Sequence, residues 1–221
     1  MRLVIQIILW IVIIFLGYQL YSSISGPFQF NKEKEVRYQK VINNLKDIRD
    51  AELAHQEITG SFTGSFDSLV RFIDTAQFAI TQRRDSVYAD VEKNKAYGID
   101  EGYFITESLI DTLSFTPVKD SLYGSTDRYK TMMNVPVKGV DAKFDLQAGS
   151  IMKNGSKYSV FKASVPKEVV LSGMDKELVY QEKQANTVEG VRGDEVRVGS
   201  MDEIDTNGNW GKSYDTGKID Q

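Results

Sequence analysis

Few side chains in this 221-residue chain are of the types that run chemistry. There is one histidine, His55, and no cysteine. That removes disulfide frameworks, thiol metal sites and most hydrolytic and paired-histidine metal centres together. Glu203, Asp205, Asn207 and Gly208 imitate the first half of a calcium loop. The twelfth position counted from Glu203 is Tyr214, where such a loop needs a bidentate Glu, so a plain hairpin turn is the expectation. Asp111 and Asp120 are of the type that shares a proton, but nothing in the sequence brings them together. Arg83-Arg84-Asp85 reads as an exposed strand end rather than an anion site. No Gly-rich phosphate loop, Gly-x-Ser-x-Gly elbow or His-Glu pair occurs. The reading is therefore of a non-enzyme, with no catalytic, cofactor-binding or metal-ligating residue.

The element that positions everything else is the start of the chain. Leu3 to Leu20 reads LVIQIILWIVIIFLGYQL, without a charge. About 18 residues at about 1.5 Å each span about 27 Å, close to a bilayer core. Residues 1–22 are thus expected to be a transmembrane anchor. The run is longer than a signal-peptide h-region, and Ser23-Ile24-Ser25 is a weak cleavage site. The absence of cysteine excludes a lipoprotein anchor. A strict count of Lys and Arg after the span would put the C-terminal side inside. The short basic start, Met1-Arg2, and the ease with which long domains translocate favour the reverse. The expected topology has the N-terminus in the cytoplasm and the domain in the periplasm. The span has no ionisable residue to relay protons or ions. Gln6 is its one amide near the cytoplasmic end. It reads either as a helix-packing contact within the membrane or as an interfacial residue.

Composition bounds the remainder. Aromatic residues make up 11% of the chain, with 11 Tyr and 11 Phe, enough for a true core. A net charge of −4 argues against a nucleic-acid surface. Residues 23–30 form a juxtamembrane linker, in which Ser25-Gly26-Pro27 should break or bend the helix. Residues 31–214 form the α+β domain and residues 215–221 a flexible tail.

Within that domain, Lys32 to Ile58 has the spacing of an amphipathic helix, with Tyr38, Val41, Ile42, Leu45, Ile48, Ala51, Ala54 and Ile58 on its apolar stripe. Its mixed charges read as a solvated surface, and His55 as a helix-end residue. A short helix follows from Phe66 to Asp74, capped by Ser65. Strands are expected over Gln77–Arg84 and Tyr103–Phe115, separated by a polar excursion. Asn154-Gly155 is the strongest hairpin signal, joining Ser150–Lys153 to Lys157–Val165. A helix over Asp175–Gln184 and a strand over Asp194–Ser200 complete a mostly antiparallel α+β fold. Ile-Asp-Thr at residues 73–75 recurs at 110–112, without the spacing of a repeat.

Several phrases occur together: VINNLKDIRDA at 41–51, FDSL at 66–69, FIDTAQF at 72–78, QRRDS at 82–86 and NGNW at 207–210. They resemble a family of single-span envelope proteins associated with TonB-type energy-transducing systems, the ExbB–ExbD proton motors. The resemblance covers most of residues 31–123 and the tail, and it carries over no functional residue. It implies a non-catalytic, inner-membrane-anchored periplasmic accessory subunit of such a motor, with ExbB–ExbD-type subunits and the lipid bilayer as partners. The span, long helix and strands also look like a type IV pilin or pseudopilin, which would make the chain a self-assembling homo-oligomer. Those proteins begin with a cleaved leader and a Glu shortly after the cut, whereas here the apolar run starts at residue 3 with no such Glu. A tethered periplasmic domain with a Tyr- and Phe-lined pocket for a cell-wall or lipid ligand is the third reading.

Overall fold

The computed structural model describes residues 2–100, 102–185 and 189–216. They are α+β, with every strand pair antiparallel. The chain divides into two compact units, residues 1–69 with 127–221, and residues 70–126.

The first unit is built on α1 (Arg2–Thr59), one helix 58 residues long. Of the break or bend expected at residues 25–27, the break does not occur: the helix runs on through Gly26 and Pro27, joining anchor, linker and amphipathic helix in one element. Proline deletes one N–H and crowds the carbonyl four residues back, a defect of about 3 kcal/mol. Ending the helix there would strand several N–H and C=O groups beside an apolar run, which costs more. Among its described side chains the first half of α1 is uncovered, with Leu3, Trp10, Phe15, Leu20 and Phe28 among the large apolar groups exposed. Phe30 is the first buried residue, and Tyr38, Val41, Ile42, Leu45, Ile48 and Ala51 are fully enclosed. Ile58, expected on the same stripe, is 41% exposed.

That stripe packs on β4 (Ser156–Pro166), β5 (Glu195–Gly199) and the short α5 (Lys167–Val170). With β3 (Asp145–Lys153), these strands form a sheet in the order β3-β4-β5. The β3–β4 turn has φ of +53° at Asn154 and +77° at Gly155, the left-handed pair a two-residue hairpin needs. Central β4 buries Phe161, Ala163 and Val165, against Val196 and Val198 of β5. Phe62, from the loop after α1, packs with its ring tilted 47° and 4.7 Å from that of Phe161. Gly199 closes β5 at φ +76°, where a Cβ would lie 2.3 Å from the Phe161 carbonyl oxygen. The sheet is followed by residues that return to α1: Lys46 donates to the carbonyl of Tyr214 at 2.7 Å, and the Trp210 indole donates to Asp215 at 3.1 Å. Asp215 and Thr216 belong to α7 (Ser213–Thr216), so the docked chain extends past Tyr214. The rest of the expected flexible tail, 217–221, lies outside the described residues.

The expected helix over Asp175–Gln184 is α6 (Lys176–Gln184), capped by Asp175 through N–H bonds from Glu177 and Leu178. The short helix α2 (Phe66–Thr75) begins as expected, with Ser65 accepting from the Ser68 N–H at 3.5 Å.

The second unit is a two-stranded ribbon. β1 (Gln77–Ala89) pairs with β2 (Phe104–Pro117), with a bulge between Ile80 and Thr81. β1 runs five residues beyond the expected Arg84, so Arg83-Arg84-Asp85 lies mid-strand rather than at a strand end. Its tip holds α3 (Val91–Ala96) inside the expected excursion. Asp90 caps that helix through the Lys93 N–H at 3.0 Å. Buried Asn94 clasps Tyr103 like a strand partner, donating to its carbonyl at 3.1 Å and accepting from its N–H at 2.8 Å. α4 (Val118–Tyr123) follows β2 directly. The Ile-Asp-Thr echo has no structural counterpart, since residues 73–75 are helical and residues 110–112 are strand.

Candidate functional site

One polar cluster of the first unit centres on a buried lysine. Lys167 opens α5 behind Pro166, with a fully enclosed side chain. Its ammonium donates to the carbonyls of Glu182 at 2.7 Å and Val191 at 2.9 Å, and lies 3.5 Å from the Glu182 carboxylate. That carboxylate takes Lys34 of α1 at 2.9 Å and the Tyr38 hydroxyl at 3.3 Å. Burial lowers the Lys167 pKa, opposed by the Glu182 charge, and burial and Glu182 both raise that of Tyr38. Every donor of this lysine is spent on protein oxygens, so the cluster clamps α1, α5 and α6 together and offers no open valence to a substrate.

The buried charge-bearing group of α1 among the described residues is Glu52, fully enclosed. One carboxyl oxygen accepts from the Thr63 N–H at 2.9 Å, while Oε1 has no hydrogen-bond partner. Burial, partly offset by that hydrogen bond, pushes its pKa up to about 8. At pH 7 the protonated form of this carboxyl is therefore favoured. This corrects the view of the α1 charges as uniformly solvated. The signal was present: Glu52 continues the Val41, Leu45, Ile48 spacing. Lys167 and Glu182 left no comparable signal, because they meet only through the fold.

The residues singled out by type are scattered. His55 is a helix-end residue, with Nδ1 2.6 Å from the Ser61 carbonyl and 3.0 Å from the Thr59 hydroxyl. Asp205 accepts from the backbone and side-chain N–H groups of Asn207 at 3.0 and 2.7 Å, and Val198 bridges Gly208, so this stretch is a turn running back onto β5. Asp111 is engaged by Arg84 across the ribbon, and Asp120 lies exposed on α4. Among the described residues no cluster of three or more His, Cys, Asp or Glu could hold a metal ion. A groove of about 600 Å³ between α5 and α6 is lined by Leu171, Met174, Val179 and one ring, Tyr180. It is not the Tyr- and Phe-lined pocket that a tethered ligand-binding domain would present.

Two surfaces remain that a folded chain in water would not leave bare. One is the first half of α1, long and apolar enough to cross a membrane and uncovered along its length. Gln6 lies exposed on it. The other is the ribbon, which exposes Val87, Phe104, Ile110, Leu113 and Phe115. Comparison with protein-family models, with curated proteins and with solved structures finds no match to the chain.

Proposed function

We propose that this protein is a non-catalytic, inner-membrane-anchored accessory subunit of an envelope complex, its folded region held in the periplasm. The observation that carries this reading is the division of α1. One unbroken helix leaves its first half wholly bare and makes its second half the spine of a packed core. The bare half fits lipid or the helices of a membrane assembly. The resemblance of residues 31–123 to envelope proteins of TonB-type systems favours an ExbB–ExbD-type proton motor as that assembly. The span carries no ionisable side chain, so proton passage belongs to the partner.

Purifying the full chain in mild detergent and identifying what accompanies it tests the proposal. Recovery with proton-motor subunits, weakened by Gln6→Leu, is expected. Recovery without any other membrane protein, with Gln6→Leu behaving as wild type, overturns it. A second reading, pilin-like self-assembly, is favoured by the continuity of α1 from the span into a helix-on-sheet head. Recovery as a long self-polymer supports that reading instead.

A further inference from the structure

A two-stranded ribbon exposed on both faces is marginal in water and gains most from further strands. Among the described residues neither edge of this ribbon pairs with a further strand, and the two edges differ in what they can accept. The Asp90 N–H donates to the Tyr103 carbonyl at 2.9 Å, and the Val118 N–H to the Ala76 carbonyl at 3.0 Å. Even-numbered positions of β1 therefore turn their backbone groups toward β2. The odd positions, Ala79, Thr81, Arg83, Asp85, Val87 and Ala89, turn theirs to the open edge.

We infer that β1 pairs antiparallel with β1 of a second copy, centred on Arg84, to make a continuous four-stranded sheet. In that register Arg83 faces Asp85 of the other copy, and the symmetry repeats the pair. Both are odd positions, so they also exchange backbone hydrogen bonds. Thr81 meets Val87 and Ile80 meets Tyr88, matching β-branched with β-branched and apolar with aromatic. Arg84 meets its own copy at the two-fold axis, where each guanidinium is already drawn to Asp111 of its own ribbon. Arg83 and Asp85 lie 3.6 Å apart within one chain, sharing the Ser108 hydroxyl. Pairing sets each of them against a second opposite charge.

Charges on an edge strand ordinarily discourage edge-to-edge association. Here one base and one acid flank the centre, so a single register is rewarded and shifted ones are not. The β2 edge lacks this device. It carries Glu107 and Asp111 and no base, so no β2–β2 register gains an ion pair. The complementarity lies in β1 matched with itself, which is why the occupant is a second copy. The inference is independent of the motor reading.

The chain has no cysteine, so Arg84→Cys puts a single thiol on the two-fold axis. An antiparallel pair of this type has Cα atoms about 4.5 Å apart, within disulfide reach. Mild oxidation of the full-length R84C protein in membranes should give a disulfide-linked dimer. Leu109→Cys, at the middle of β2, should give about tenfold less. In detergent, Asp85→Arg should raise the dimer Kd about tenfold or more, and the exchange Arg83→Asp with Asp85→Arg should restore it. The inference is overturned if R84C stays monomeric, if L109C links equally well, or if R84C links to a different protein. It is also overturned if the charge exchange fails to recover the dimer lost in D85R.

Discussion

At Glu52 a single carboxyl ties stability to pH. Its pKa is about 8 in the folded chain and near 4.5 when unfolded. Between those values the folded state binds more protons than the unfolded one, so stability falls as pH rises from about 5 to 8. Across that window the loss is roughly 3 kcal/mol. Urea denaturation at successive pH values should show it. Glu52→Gln, which keeps the acceptor for the Thr63 N–H, should flatten the dependence. Lys167 behaves differently, because its partners are already in place. Lys167→Met leaves the Glu182 and Val191 carbonyls without their donor and should cost about 3 kcal/mol in the same measurement. The two residues also differ in legibility. Glu52 stands in register with the helix stripe, so its burial was written in the spacing. Lys167 and Glu182 are fifteen positions apart with no periodicity between them, and only the packing of α5 and α6 brings them together.

Elements were legible where periodicity or turn chemistry acts locally. The α6 cap at Asp175, the Asn154-Gly155 hairpin and the β5 alternation all depend on neighbours a few residues away. Two misjudged boundaries have longer-range causes. Pro27 breaks a helix in water, but the flanking turns of α1 supply enough hydrogen bonds to carry it through. Spin labels at Leu20 and Lys34 should accordingly show one narrow distance near 21 Å, the rise of fourteen helical residues. A bent linker would give a shorter, broader distribution. β1 outran its expected end because Arg84, Asp85 and Tyr88 find partners on β2 that local polarity does not reveal. At Gly199 the sheet leaves no room for a Cβ, which would lie 2.3 Å from the Phe161 carbonyl oxygen. Gly199→Ala must adopt a left-handed φ and displace the Phe161 carbonyl, and should cost at least about 2 kcal/mol in thermal or urea unfolding.

For the molecule as a whole, composition and the apolar run were enough to anticipate an α+β chain with an anchor-grade helix. Charge counting alone points opposite to the proposed topology, and a rule made for short loops says little about a long translocated domain. Protease added to intact spheroplasts should digest the folded region while sparing the span. Full protection would place it in the cytoplasm. The candidate surfaces were harder to foresee. The strand pattern over Tyr103–Phe115 is that of an ordinary pleat, and nothing in it says that the sheet stops at two strands.

The unbroken course of α1 has a mechanical meaning. Carried through Pro27 as one hydrogen-bonded helix, α1 can act as a lever that passes a motion imposed on one end to the other. The stretch from Phe30 to Thr59 is about 45 Å long at 1.5 Å per residue. A tilt of about 10° in the span, modest by bilayer standards, would swing its far end by about 8 Å. The stripe of Tyr38, Val41, Leu45 and Ile48 is locked into β4, β5 and α5, so the lever moves its sheet with it. Axial rotation is transmitted the same way, since a turn of about 100° is one residue of helical register. A neighbour that rocks or turns the anchor would thus displace the packed head bodily rather than flex a tether.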